Sequence, residues 1–311
     1  MARVVTITLN PAVDKSISVE QVVPERKLRS DRPVLEPGGG GINVARVLTE
    51  LGVRTAAHWT LGGYTGARLE NLLDDMGIDH HPLVIGGETR EHLIVFERAT
   101  GQQFRFGTPG PVLTQAELAA LTARIAALPT ATPYLVLSGS LPDGVPEDTY
   151  ALLARAAPAD CRVVLDTSGP ALRHGIETPV FLIKPNVREL GQLAGQEIED
   201  DDQVRGVARR LIEGGAAEVV VTSLGKGGAM ATTAGEHWHV RAPTVPIRSA
   251  VGAGDSMVGG IVAGLTRGRP LREAIRYGVA AGAAAVKTPG TQLCRRDDVE
   301  ALDARMAAEG Q

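Results

Sequence analysis

Hydrophobic and polar positions follow two periods along this chain. Short β-branched runs at 4–9, 56–61, 134–138, 162–166, 180–183 and 218–223 predict strands. Segments with helical spacing lie at 42–51, 66–76, 117–128, 147–157, 203–213, 257–265 and 271–286. Leu118, Leu121, Ile125 and Leu128 fall on one side of the third, as a helix covering a sheet requires. Such alternation predicts an α/β fold with a largely parallel central sheet flanked by helices. Ligands of such sheets bind beyond the C-terminal ends of the strands.

Two stretches break the alternation. The first carries Ser16-Ile17-Ser18-Val19 and Arg32-Pro33-Val34-Leu35; the second reads as a hairpin from His92 to Phe106 turning at Thr100-Gly101. They fit either an edge extension of the main sheet or a small separate sheet. In the second case they form a lid over approximately 14–36 and 88–107, joined to the body by the glycines at 38–41 and 86–87. With no internal repeat, low-complexity tract or Pro-rich linker, residues 1–311 are expected to form one domain.

Composition narrows the function. A chain of 311 residues can bury a substantial core, and 32 Lys+Arg against 36 Asp+Glu leave a net charge of −4 without a basic block. No nucleic-acid partner is expected, and an anion site must be local. Cys161 and Cys294 lie far apart, match no metal spacing, and read as reduced thiols. The chain runs straight into the strand at 4–9 without a signal-peptide pattern, and no stretch is apolar for long enough to span a bilayer. A cytoplasmic protein without a membrane partner is expected.

Three Gly-containing segments carry the candidate chemistry. Gly252-Ala253-Gly254-Asp255 leads into an apolar helix. The free amides of a first helical turn can stabilise a phosphoryl group in transfer, and Asp255 can take a proton from an attacking hydroxyl. An acidic residue opening a helix after a Gly turn is the plainer reading of the same pattern. Pro37-Gly38-Gly39-Gly40-Gly41-Ile42-Asn43 exposes backbone amides and an amide side chain suited to sugar hydroxyls. Ser223-Leu224-Gly225-Lys226-Gly227-Gly228 ends a strand and fits either a nucleotide-binding turn or a hairpin turn into Ala229-Met230-Ala231.

Lys184-Pro185-Asn186-Val187-Arg188-Glu189 has capping-box spacing. It also places Asn186 and Glu189 where Mg²⁺ and its waters would sit. Lys27 and Arg29 share one side of a possible strand, and Arg90 follows a Gly-rich loop, so the three form a candidate sugar-phosphate clamp. The chain lacks Gly-x-x-x-x-Gly-Lys-[Ser/Thr], which excludes a P-loop design, and its first strand runs into Asn10-Pro11 rather than Gly-x-Gly-x-x-Gly, which argues against an N-terminal dinucleotide-binding fold.

Taken in order, Asn10-Pro11-Ala12-Val13-Asp14, Pro37–Asn43, Thr89-Arg90, Ser138-Gly139-Ser140-Leu141-Pro142, Lys184-Pro185-Asn186-x-x-Glu189 and Gly252-Ala253-Gly254-Asp255 resemble the ribokinase-like sugar kinases of the phosphofructokinase B branch. The resemblance implies a ribokinase-like fold, ATP with Mg²⁺, and a β-lid that pairs with a second subunit. By position it implies Asp255 as catalytic base, Gly252, Ala253 and Gly254 as anion hole, and Lys27 beside the transferring phosphoryl group. It implies sugar-phosphate contacts at Asp14, Gly39, Asn43, Arg90 and Ser138, with Arg29 near the lid. Nucleotide contacts would come from Lys184, Asn186, Ser223, Gly225 and Gly228, and Mg²⁺ would be held by Glu189 and Asn186 through water.

Within the branch, Gly40 stands where relatives acting on tagatose 6-phosphate or fructose 1-phosphate resemble one another in carrying lysine. With Lys27-Leu28-Arg29 and Glu36-Pro37, this implies fructose 6-phosphate as substrate, with a kinase of tagatose 6-phosphate or fructose 1-phosphate as the alternative and a non-catalytic sugar-phosphate sensor as the rival from another class. Ser249-Ala250 replaces an Asp-hydroxyl pair that goes with a monovalent cation, which argues against potassium activation.

Overall fold

The computed structural model describes residues 3–310. In chain order the strands are β1 (Val4–Thr8), β2 (Ala12–Val19), β3 (Val34–Gly38), β4 (Thr55–Leu61), β5 (His80–Val84), β6 (Arg90–Glu97), β7 (Gln103–Phe106), β8 (Tyr134–Ser138), β9 (Arg162–Asp166), β10 (Val180–Ile183), β11 (Ala217–Ser223), β12 (Ala229–Thr232) and β13 (His237–Val240). The helices are α1 (Gly40–Glu50), α2 (Gly63–Asp75), α3 (Gln115–Ala126), α4 (Thr149–Ala156), α5 (Gly169–Gly175), α6 (Val187–Ala194), α7 (Asp201–Glu213), α8 (Ala253–Thr266), α9 (Leu271–Ala285) and α10 (Arg296–Ala308).

Nine strands form one sheet in the order β13-β12-β11-β10-β9-β8-β1-β4-β5. From β11 to β5 every pairing is parallel; β12 and β13 add an antiparallel edge. The central strands are buried on both faces, which explains why they read as continuous apolar runs. One face packs on α1, α8, α9 and α10 through Val47, Leu48, Val258, Ile261, Ile275 and Val299. The other packs on α3 to α7, where Leu121 and Ile125 are buried and Leu118 and Leu128 lean on the cluster. The parallel strands β1, β8, β9, β10 and β11 end at one edge, and that edge carries Asn10, Ser138, Asp166, Lys184 and Ser223.

The stretches that break the alternation form a second, four-stranded sheet in the order β3-β2-β6-β7. Its register pairs Asp14 with Glu36 and His92, and Ala12 with Gly38 and Arg90, so one end of the small sheet delivers charged groups to the strand-end edge of the large one. Val13 anchors it in a cluster with Ile42, Trp59, Leu69 and Leu73. One expectation is corrected here. Lys27 and Arg29 do not lie on a strand; residues 20–33 form an irregular connection, and both side chains are exposed. Pro24 and Pro33 flank them, and proline lacks the N–H a ladder needs. Among the described residues no helix is long and apolar enough to cross a membrane.

Candidate active site

The site is organised by the start of α8. Gly252 adopts φ 74° at its N-cap, a left-handed conformation that glycine takes without strain, and no side chain caps the helix. The first-turn amides and the positive end of the helix dipole therefore face the strand-end edge. Nearly every residue of α8 after Asp255 is buried, and the helix is held by close approach to α9. A Cβ at Gly260 would sit 2.7 Å from Cβ of Ala281 and 3.0 Å from the Tyr277 carbonyl oxygen. Small residues here bring two backbones together and fix where Asp255 points.

Asp255 is enclosed by protein while keeping a partly exposed edge. Nδ2 of Asn43 donates to its Oδ2 at 2.8 Å. Burial, reinforced by the Asp166 carboxylate, pushes the Asp255 carboxyl up from 3.8 to about 6, against the pull of Asn43, Lys184 and Arg46. Lys184 follows β10 and is buried, with Nζ 3.1 Å from Oδ1 of Asp166. Burial works against its ammonium, yet Asp166, Asp255 and Glu189 outweigh that and hold its pKa above the ordinary value. A fixed positive charge thus stands among three carboxylates, next to Gly254, whose missing Cβ would lie 3.4 Å from Nζ. A base with a pKa near 6 beside free helix amides and a fixed cation suits proton removal from a hydroxyl attacking a phosphoryl group.

The small sheet and α1 bound the other side. Asp14 is buried against Gly38, where a Cβ would come within 2.9 Å of the carboxylate. Nδ1 of His92 lies 3.1 Å from Oδ1 of Asp14. Nη2 of Arg90 donates to the Asn10 carbonyl at 2.9 Å. The Ser138 hydroxyl is buried with no hydrogen-bond partner among the described residues. Gly39, at φ 113°, packs on Thr8, and a Cβ at Gly40 would strike the Ser138 hydroxyl and come within 2.7 Å of the Gly139 nitrogen. Close packing alone therefore demands these glycines, whatever they contact in a ligand.

On the remaining side, Asn186 and Glu189 make a complete capping box. The Glu189 amide donates to Oδ1 of Asn186 and the Asn186 amide to Oε2 of Glu189, each at 2.9 Å. The Ser223 amide donates to the Pro185 carbonyl at 2.9 Å and ties this loop to the next. Gly225 and Gly228 shape the turn between β11 and the antiparallel β12, so the hairpin reading describes its fold. Gly228, at φ 94°, lies against the Val240 carbonyl.

The model of the "pfkB family carbohydrate kinase" matches residues 5–298. The chain belongs to the pfkB family of carbohydrate kinases. Its fold is the ribokinase-like one. ATP-dependent 6-phosphofructokinase isozyme 2 of Mycobacterium tuberculosis is 44% identical over 305 residues, covering 96% of this chain and 88% of that one. Phosphofructokinase-2 from Escherichia coli, solved in complex with fructose-6-phosphate, superposes with a TM-score of 0.92 at 38% identity over 99% of this chain and 100% of that one. That protein has also been solved with potassium and in a tetrameric inhibited form. The 1-phosphofructokinase of Bacillus subtilis is 35% identical over 90% of this chain and 91% of its own.

In this pfkB kinase the tertiary structure gathers Asp255, Gly252, Ala253, Gly254, Asn43 and Lys184 at one point. Asp14, Gly39, Arg90 and Ser138 lie on one flank, with Asn186, Glu189, Ser223, Gly225 and Gly228 on the other. Lys27 and Arg29 stay outside this gathering, exposed on the 20–33 connection. Asp166, Arg46 and His92 were missed from the sequence. For Asp166 a signal existed: it is the acid that ends an apolar strand, at the edge where parallel sheets bind ligands.

Proposed function

We propose that the protein is an ATP-dependent 6-phosphofructokinase. It transfers the γ-phosphoryl group of ATP to the 1-hydroxyl of fructose 6-phosphate, giving fructose 1,6-bisphosphate and ADP. The observation that carries this reading is Asp255: a carboxyl pushed up to about 6, at the uncapped start of α8, beside Lys184. Asp255 takes the hydroxyl proton while the amides of residues 253–255 and the Lys184 ammonium face the charge that develops on the phosphoryl oxygens. Arg90 and the buried Ser138 hydroxyl hold the sugar phosphate, and Asp14, fixed by His92, receives sugar hydroxyls. The loops at Asn186 and at 223–228 receive the nucleotide.

Among the described residues no three His, Cys, Asp or Glu side chains group as a metal cage. Mg²⁺ arriving with a nucleotide needs few protein ligands, and the carboxylate oxygens of Glu189 and Asp166, with Asn186 nearby, are the hard donors it prefers. When bound, it neutralises charge on the phosphates. The small sheet serves as the lid, and exposed Val34, Phe96 and Phe106 on its strands supply apolar surface for the lid of a second copy. The buried, unpaired Cys161 and Cys294 suit the cytoplasm. At the potential monovalent-cation loop, the Ser249 hydroxyl donates to the Gly290 carbonyl at 2.7 Å; activity in KCl against NaCl measures whether this segment takes potassium.

Kinases of fructose 1-phosphate are relatives too, so the substrate is the point to test. ADP release is measured with Mg-ATP and fructose 6-phosphate, fructose 1-phosphate or tagatose 6-phosphate, and compared by kcat/KM. Preference for fructose 6-phosphate is expected. Preference for another sugar overturns the substrate assignment while leaving the mechanism, and silence with all three overturns both.

A further inference from the structure

Arg46 reaches the site through Asn43. It lies on α1 three residues after Asn43, so the two side chains share one face of the helix. Its side chain is 10% exposed. Nη1 donates to the Pro37 carbonyl at 2.8 Å and to Oδ1 of Asn43 at 3.1 Å, while Nη2 lies 3.9 Å from Oε1 of Glu36. Glu36 is itself buried and accepts from the Thr291 hydroxyl. The guanidinium is therefore held by partners on β3 and α1, and Glu36 is tied in turn to the loop after α9.

An arginine only donates, so the atom of Asn43 facing it must be the carbonyl oxygen. The amide nitrogen is then left to face Asp255, to which it donates at 2.8 Å. An amide free to turn over could instead offer its oxygen to a protonated Asp255 and stabilise the form that cannot act as a base. We propose that Arg46 is a positioning residue: by fixing the Asn43 amide through Oδ1 and adding its own charge, it keeps Asp255 in the ionised, proton-accepting form. This rests on Asp255 being the base.

The groups acting on Asp255 come from every side. Asp166 at the end of β9 opposes ionisation, whereas Lys184 after β10 and Asn43 and Arg46 on α1 favour it. Burial lowers the Arg46 pKa below its ordinary value, and Glu36, Asp14 and Asp255, which face it, offset part of that.

The test is the pH profile of kcat/KM for the sugar phosphate, with thermal stability followed in parallel. Arg46→Met is expected to move the acid limb up by about one pH unit, so that below the limb kcat/KM falls about tenfold further than on the alkaline plateau. Arg46→Lys keeps the charge but loses the planar fork, and a smaller upward shift is expected. A residue that merely supports the fold would lower activity equally at all pH values and leave the limb in place. That result, in Arg46→Met or, should Arg46→Met not fold, in Arg46→Lys, overturns the inference. A wild-type profile lacking an acid limb, or an Asp255→Asn variant with near-normal turnover, overturns the parent reading and this one with it.

Discussion

Replacing Asp255 by Asn sets catalysis against stability. The amide keeps the shape of the carboxyl but accepts no proton, and general-base catalysis typically contributes on the order of 10²–10⁴-fold. kcat is expected to fall by at least that range with little change in ATP affinity. The same substitution should stabilise the fold. The carboxyl moves from 3.8 to about 6 on folding, so at neutral pH the native state holds an ionised group in a place that prefers it neutral. At ~1.4 kcal/mol per pH unit the shift corresponds to about 3 kcal/mol, a ceiling because the carboxylate keeps some hydration at its exposed edge.

With a folded pKa above the unfolded one, the native protein binds the proton more tightly. Stability is therefore full below pH ~4 and is lost as pH rises through about 6. Asn imitates the protonated acid at every pH, so the gap between variant and wild type should be widest above pH 6 and close towards pH 4. For a chain of 311 residues the unfolding entropy of ~0.65 kcal/mol/K turns the ceiling into about 4–5 °C in Tm at pH 7.5. Thermal melts from pH 4 to 8 beside ADP-release kinetics measure both effects. A variant less stable than wild type at pH 7.5, or a gap that does not close in acid, refutes the burial argument; turnover within tenfold of wild type refutes the base.

Other expectations are more local. Arg90→Ala should raise KM for the sugar phosphate at least tenfold, with KM for ATP nearly unchanged; equal effects on both would remove Arg90 from the clamp. Gly40→Lys places a Cβ against the Ser138 hydroxyl and the Gly139 backbone, so a loss of roughly 1–3 kcal/mol is expected in denaturant melts, without a gain for tagatose 6-phosphate. His58 lies beside His81, Arg124 and Arg3, and burial above all pulls its pKa from 6.5 down to about 4. Its neutral form stabilises the fold above pH 6.5, and that support is lost as pH falls towards 4, opposite in sign to Asp255. His58→Gln relative to wild type should therefore gain ~2 kcal/mol between pH 8 and pH 5, read from paired melts; a pH-independent difference would mean that His58 does not titrate in this way.

Much of this molecule was written in local pattern. The helix at 203–213 and the strands at 134–138, 162–166 and 180–183 lie where apolar periodicity put them. Periodicity encodes which side of an element leaves water, which is a property of neighbours in sequence. The capping box at Asn186 and Glu189 and the Gly-Ala-Gly-Asp turn at 252–255 were legible for the same reason. Two helix starts lie ahead of the apolar periodicity: α1 and α8 begin at Gly40 and Ala253, because glycines poor in helix propensity are required there, by close backbone approach at Gly40 and Gly41 and by a left-handed N-cap at Gly252. α10 went unread although Val299, Leu302 and Met306 mark its buried side.

The joining of those pieces was decided by the tertiary structure. Asn43 meets Asp255 across 212 positions, Glu36 meets Thr291 across 255, and Asp14 meets His92 across 78. These meetings depend on strand order and on the docking of α8 against α1 and α9, which no local period contains. The same is true of the Asp255 carboxyl. Its sequence supplied an acid after two glycines and an alanine; burial and the neighbouring Asp166 push its carboxyl up to about 6, because charge in a protein is set by what surrounds it in space.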